Sequence, residues 1–156
     1  MLIRRCPITD PDAALLVERV QEEYVVRYGG RDESPITPEV FDEPRGAFFV
    51  GYDAGAPVAT GGWRLRSDVR AFDSSTTAEV KRMFVVPEVR GRGLAREMLA
   101  HLEQTAAAAG AEVMVLETGT LQPEAIALYE SAGYTRIADF GHYRDSPISR
   151  CFGRRI

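Results

Sequence analysis

Cysteine is nearly missing from this chain. Cys6 and Cys151 are the only two in 156 residues, which is too few for a disulfide scaffold, and neither has metal-ligand spacing. Free thiols in a reducing cytoplasm are the expectation. The only histidines, His101 and His142, stand apart from any evident nucleophile or ligand cluster, so no metal is expected. No apolar run is long enough to span a bilayer, and Met1 to Arg5 leads into no secretory h-region. No membrane partner is therefore expected, and the location should be cytoplasmic. Positive charge is not in excess either. Lys and Arg total 19 against 23 Asp and Glu, a formal net charge of −4, which argues against the broad basic surface of a nucleic-acid binder. Internal repeats and low-complexity segments are absent.

What is present is ordinary globular material, 45% hydrophobic and 27% charged, in a chain long enough for a sizeable core. Leu2 to Ile8 reads as a first strand. Asp10 is a good N-cap before Pro11, and Ala13, Leu16, Val17, Val20 and Tyr24 follow at the helical period until Gly29-Gly30. Residues 30 to 45 are broken by Pro35, Pro38 and Pro44, with a short helix expected over Pro38 to Phe41. A hairpin follows, turning at Asp53-Ala54-Gly55. The pair Gly61-Gly62 inside its second strand predicts a bulge or a close approach. Glu79 to Val86 is the next strand, ended by Pro87. Gly93 to Ala109 is a helix with an apolar stripe at Leu94, Ala95, Met98, Leu99, Leu102 and Ala106, and Gly110 follows it. Val113 to Glu117 reads as a buried strand, Pro123 opens a further helix that ends before Gly133, and Tyr134 to Phe140 and Cys151 to Ile156 close the chain as strands. The order β-α-(α)-β-β-β-α-β-α-β-β gives an α/β or α+β class, a mixed sheet with helices on both faces.

The chemistry concentrates in Val85-Val86-Pro87-Glu88-Val89-Arg90-Gly91-Arg92-Gly93-Leu94-Ala95-Arg96. A strand ends, the chain turns through two glycines, and a helix begins. The glycines permit positive φ and a close ligand approach. The helix start offers unpaired N–H groups and partial positive charge, and Arg90, Arg92 and Arg96 add full charges. Together these suit a diphosphate. The spacing is neither Gly-x-x-x-x-Gly-Lys-Ser/Thr nor Gly-x-Gly-x-x-Gly, because Arg96 stands where the third glycine would be, so a nucleotide-phosphate protein is disfavoured. On composition alone, a solvated helix entry is the plain alternative.

The run Arg90-Gly91-Arg92-Gly93-Leu94-Ala95 resembles the acyl-CoA signature of the GNAT N-acetyltransferase superfamily, and Glu79 to Pro87 is similar to the strand before it. Pro123-Glu124-Ala125-Ile126-Ala127-Leu128-Tyr129-Glu130-Ser131-Ala132-Gly133-Tyr134 resembles the family's second block. The two blocks cover roughly residues 78 to 140. The resemblance implies one domain over residues 1–156 with a largely antiparallel, twisted sheet of about seven strands. It implies acetyl-CoA as donor, its pyrophosphate cradled by the backbone of Arg90 to Ala95 beside Arg96. Its pantetheine arm would pair with Met83, Phe84 and Val85 like an added strand, in a V where this strand and Val113–Glu117 splay apart. Tyr129 aligns with the tyrosine that protonates the leaving thiolate. Glu79 is the first candidate base, expected to share a strand face with Lys81, Met83 and Val85. Glu117 is the second candidate and Asp73 a third. Gln122 stands where the family commonly has asparagine. The expected partner is a small-molecule or amino-acid amine, and a homodimer is compatible with the chain. Its pocket is expected among Tyr24, Arg27, Tyr28, Arg31, Trp63, Arg64 and Arg66, where arginines and aromatics suit an acceptor that also carries an anion. A non-catalytic acyl-CoA sensor of the same fold is the alternative, needing neither Tyr129 nor Glu79.

Overall fold

The computed structural model describes residues Met1–Ile156. Its elements in chain order are β1 (Leu2–Arg5), α1 (Pro11–Tyr28), β2 (Gly46–Asp53), β3 (Ala56–Leu65), β4 (Thr77–Val85), α2 (Leu94–Ala108), β5 (Val113–Gly119), α3 (Pro123–Ser131), β6 (Thr135–Arg136) and β7 (Ser149–Arg155), with short 3-10 turns at Pro38–Phe41 and Pro87–Val89. All seven strands form one sheet in the order β1-β2-β3-β4-β5-β7-β6. Only β4 and β5 run parallel; every other neighbouring pair is antiparallel. This is the mixed, mostly antiparallel α/β arrangement that the sequence pattern and the resemblance anticipated.

Local chemistry explains most boundaries. The Asp10 carboxylate accepts from the Asp12 amide at 3.0 Å, Pro11 needs no donor, and Gly29 closes α1 at φ 78°. Two strands are shorter than expected. The first ends at Arg5, before Pro7, which has no N–H to give a ladder. The expected strand Tyr134–Phe140 is reduced to Thr135–Arg136. Beyond Ile137, whose amide still reaches the Cys151 carbonyl at 3.1 Å, the chain leaves the sheet and crosses toward β5.

Strand alternation separates the two faces. Trp63 and Gly61 of β3 point to α2: the Trp63 indole donates to Thr105 at 2.9 Å, and a Cβ on Gly61 would touch Leu102 and Met98. Arg64 and Lys81 point to the opposite face, toward the segment after α1, where they donate to the Pro35 carbonyl and the Ser34 hydroxyl. The core continues through the sheet, with Phe48, Leu16, Met98, Leu99 and Leu102 at most 1% exposed.

The glycine pair in β3 faces a bulge, but the extra residue belongs to β4. Arg82 and Met83 together oppose Gly61, between the pairs Gly62–Lys81 and Thr60–Phe84. Arg82 has φ 53°, and its carbonyl accepts from the Thr60 hydroxyl at 2.9 Å. The bulge reverses the alternation. Glu79 and Lys81 do share a face, but Phe84 continues it and Val85 does not, which corrects the simple period-2 reading. Beside the bulge, β4 and β5 pair only through Thr77–Val113, Ala78–Met114 and Glu79–Val115. From there they part.

Close packing at β3 gives a first prediction. A Cβ on Gly62 would lie 2.6 Å from the Phe48 ring and 2.9 Å from the Ala47 carbonyl oxygen. Gly62→Ala should therefore lower unfolding stability by about 1–3 kcal/mol in urea titration; an unchanged midpoint would contradict this packing.

Candidate active site

The glycine turn lies where the parted strands open onto α2. Gly91 and Gly93 both sit at φ 80°, with nothing within 4 Å of where a Cβ would be. They are required for their backbone conformation, not for lack of room. The amides of Gly91, Arg92, Gly93, Leu94, Ala95 and Arg96 donate to no backbone carbonyl; the first bond of the helix is Glu97 N to Gly93 O at 3.1 Å. These consecutive open donors at a helix N-terminus form an anion cradle.

The three arginines there do other work than the sequence suggested. The Arg90 guanidinium folds back over Phe84, donates to the Val85 carbonyl at 2.9 Å and pairs with Glu23 of α1 at 2.8 Å. Arg92 pairs with Asp53 at 2.8 Å. Arg96 reaches Ser131, tying α2 to α3. They brace the turn, and its backbone carries the open donors. Within Met83–Val85, the strand edge facing β5 is unpaired by any strand, though the Val85 carbonyl is taken by Arg90.

On the α1 face, the parting of β4 and β5 opens into a pocket of about 320 Å³. Its wall includes Tyr24 and Tyr28 of α1, Arg31 and Asp32 after it, Lys81 of β4, and Glu117, Thr118 and Gly119 of β5. Gly30, Gln122, Tyr143, Ser146, Ile148 and Ser149 complete it. The Gln122 side chain accepts from the Tyr28 hydroxyl at 2.9 Å. The long loop after β6 covers the site, and a Cβ on Gly141 would collide with the Glu117 carboxylate. That close approach lets the Tyr143 amide donate to Glu117 Oε2 at 3.2 Å, beside the Ser149 hydroxyl at 3.2 Å. Burial still dominates these bonds and pushes the Glu117 carboxyl above its ordinary range.

Glu79 is elsewhere. It is 2% exposed and absent from the pocket wall; its Oε1 accepts from Arg64 Nε at 2.9 Å and Arg66 Nη1 at 2.8 Å. Tyr129 is also buried outside the wall. Its hydroxyl has no protein partner, and burial raises its pKa. Asp73 sits on an exposed turn. Of the residues expected to shape the acceptor site, Tyr24, Tyr28 and Arg31 line it. Arg64 and Arg66 hold Glu79, Arg27 pairs with Glu124, and Trp63 packs against α2. Cys151 is fully buried with its thiol pushed up to about 11 by burial, and both cysteines are free. His101 packs edge-on to Phe49.

Sequence reasoning missed Asp32, Tyr143 and Ser146, which come from loops without a motif, and Ser149, the first residue of β7. Asp32 pairs with Arg82, the bulge residue, and accepts from the Tyr143 hydroxyl at 3.0 Å. Lys81 donates to Ser34 at 3.2 Å and lies 4.0 Å from Glu79 Oε2; burial lowers its pKa against the pull of Glu79 and Asp32.

With this geometry in view, comparison with known proteins is decisive. The model of the acetyltransferase (GNAT) family matches residues 16–134. The chain belongs to that family. An "IAA acetyltransferase" of Azospirillum brasilense is 30% identical over 148 residues, covering 95% of this chain and 92% of that protein. The N-acetyltransferase YjgM of Escherichia coli (strain K12), itself uncharacterised, is 30% identical over 142 residues, covering 87% of this chain and 83% of that protein. Among solved structures, a proposed acyl-CoA N-acyltransferase from Klebsiella pneumoniae superposes with a TM-score of 0.79 at 25% identity, over 99% of this chain and 96% of that one. A GNAT-family acetyltransferase from Staphylococcus aureus, 18% identical over 99% of each chain, shares the fold at a TM-score of 0.73. GNAT acetyltransferases use acetyl-CoA as co-substrate, and no helix here is long and apolar enough to cross a membrane.

The Asp32–Arg82 pair predicts a pH dependence. Although burial alone would raise it, Asp32 is held down to about 2 from 3.8, chiefly by the Arg82 and Lys81 charges. A depressed carboxyl contributes stability that is present above its unfolded pKa and lost as pH falls through its folded one. Wild type should lose about 2 kcal/mol more than Asp32→Asn between pH 5 and pH 2 in urea unfolding. Parallel losses in the two proteins would contradict the pairing.

Proposed function

We propose that the chain is an acetyl-CoA-dependent N-acetyltransferase, residues 1–156 acting as one catalytic domain, that acetylates a primary amine of a small molecule or amino acid by direct attack on the thioester. The run of open amides from Gly91 to Arg96, beside two strands that part, carries the reading. An acyl-CoA offers a diphosphate for those amides and an extended amide-bearing arm for the free edge of β4. Two free, buried thiols fit a cytoplasmic location.

Bound acetyl-CoA would supply the electrophilic carbonyl and the leaving thiol. The protein's own groups then divide the proton traffic. Glu117, in the pocket wall with a raised pKa, takes a proton from the acceptor amine as the C–N bond forms. Tyr129, with no internal hydrogen-bond partner, gives its proton to sulfur as the C–S bond breaks. Gln122 and Tyr28 orient the end of the arm. Glu79 is a positioning residue: it fixes Arg64 and Arg66 and sits beside Lys81.

Acetyl transfer to a library of primary amines, followed by thiol release, tests this. No turnover with any amine would overturn it. Glu117→Gln should lower kcat/KM by about 10²–10⁴-fold. In wild type, kcat/KM should fall as pH drops through the raised Glu117 pKa, because only the ionised carboxylate accepts a proton; the variant should lack that acidic limb. Tyr129→Phe should lower kcat far more than acetyl-CoA affinity. A retained acidic limb in Glu117→Gln would return the base role to Glu79 or to water.

A further inference from the structure

The pocket has two chemically different walls. Lys81 and Glu117 each stand two residues beyond Glu79–Val115, the last pair joining β4 and β5. Alternation places both on the α1 face, opposite one another across the open end of the V, and both line the pocket. One wall therefore presents an ammonium and the other a carboxylate.

Lys81 has one carboxylate pairing, to Glu79 Oε2 at 4.0 Å, at the outer limit of an ion pair, and it donates a hydrogen bond to no carboxylate. Asp32 is engaged by Arg82, and Glu79 Oε1 accepts from both Arg64 and Arg66. The nearest carboxylate oxygen to the ammonium is Glu79 Oε2 at 4.0 Å, and its hydrogen bond goes to the neutral Ser34 hydroxyl at 3.2 Å. An ammonium carries three donors, so this buried cation keeps capacity for an anion. Arg31, the other cation of the pocket, is bound in a fork by Glu18 at 2.7 and 2.9 Å. The carboxylates facing Lys81 from the surrounding elements are Glu79, Asp32 and Glu117; of these, Glu117 lies across the pocket, where an amine would lie between.

We infer that Lys81 is the carboxylate anchor of the acceptor site, and that the acceptor is an α-amino carboxylate whose carboxylate meets Lys81 and whose amine meets Glu117. This rests on the acetyltransferase reading above. A ligand carboxylate gains a charge-assisted bond in a desolvated place. It fills the need that the protein leaves open, and it turns the amine toward the base. Tyr24 and Ile148 are left to contact the side chain, in a volume suited to one amino acid.

The test pairs α-amino acids with their own carboxamides as acceptors, at saturating acetyl-CoA, read by thiol release. Wild type should favour the best acid over its amide by at least about 10-fold in kcat/KM, a difference of about 1.4 kcal/mol. Lys81→Met should erase that preference, chiefly by raising KM for the acid, and Lys81→Arg should keep much of it. Far-ultraviolet circular dichroism and thermal melting of both variants separate lost binding from lost folding. Wild type that uses acid and amide equally, or a Lys81→Met variant that keeps the preference, overturns the inference and leaves the acetyltransferase reading intact. Acetyl-CoA binding without transfer to any acid, while amides or other amines are acetylated, overturns it as well. Absence of acetyl-CoA binding overturns the acetyltransferase reading and this inference together.

Discussion

Arg82 occupies a left-handed backbone conformation in the middle of a central strand, a place where a side chain normally forbids it. Three contacts hold it there. Thr60 of β3 takes its carbonyl, Asp32 takes its guanidinium, and the small Gly61 faces the extra residue. With the bulge in place β4 bends away, and its pairing with β5 ends at Glu79–Val115. A sheet interior that would otherwise be closed by hydrogen bonds becomes a cleft. The glycine turn, the two-walled pocket and the loop over it are all arranged around that parting.

The cleft divides the work between backbone and side chains. At one end, the open amides from Gly91 to Arg96 form a fixed donor surface, while Arg90, Arg92 and Arg96 reach to Glu23, Asp53 and Ser131 and hold the turn against α1, β2 and α3. At the other end, titratable groups are brought together by burial. Glu117 is desolvated by the chain passing at Gly141, and Lys81 is enclosed near Asp32 and Glu79. A donor surface that cannot move suits a part common to all donors. A pocket completed by loops suits a part that varies.

Local signals were readable in the sequence. Asp10-Pro11, Gly29, the hairpin turn at Ala54-Gly55 and the stripe of α2 follow from capping, φ preference and periodicity, and each element formed where those rules put it. The open amides from Gly91 onward were readable too, because glycine spacing and a helix start record them; the Arg90 amide, expected among them, donates instead to the Pro87 carbonyl at 3.3 Å. The Arg82 bulge was half-visible: Gly61-Gly62 signalled an irregularity but not which strand carried the extra residue. The pocket wall was least legible. Asp32, Tyr143 and Ser149 are far apart in sequence, lie in segments without periodicity, and meet only after the loop following β6 folds across β5. Nothing in the sequence marked Glu79 as enclosed, yet neighbouring arginines from β3 and the following loop hold it.

The open amides from Gly91 to Arg96 lie at the open end of the parted strands. A nitrogen–hydrogen correlation spectrum of labelled protein, titrated with acetyl-CoA, reads those amides one by one. The expected result is a large, saturating downfield shift at Gly91 through Arg96 with one equivalent bound, together with shifts along Met83 to Val85. Saturable binding that leaves the Gly91–Arg96 amides unmoved would contradict their role as the anion cradle.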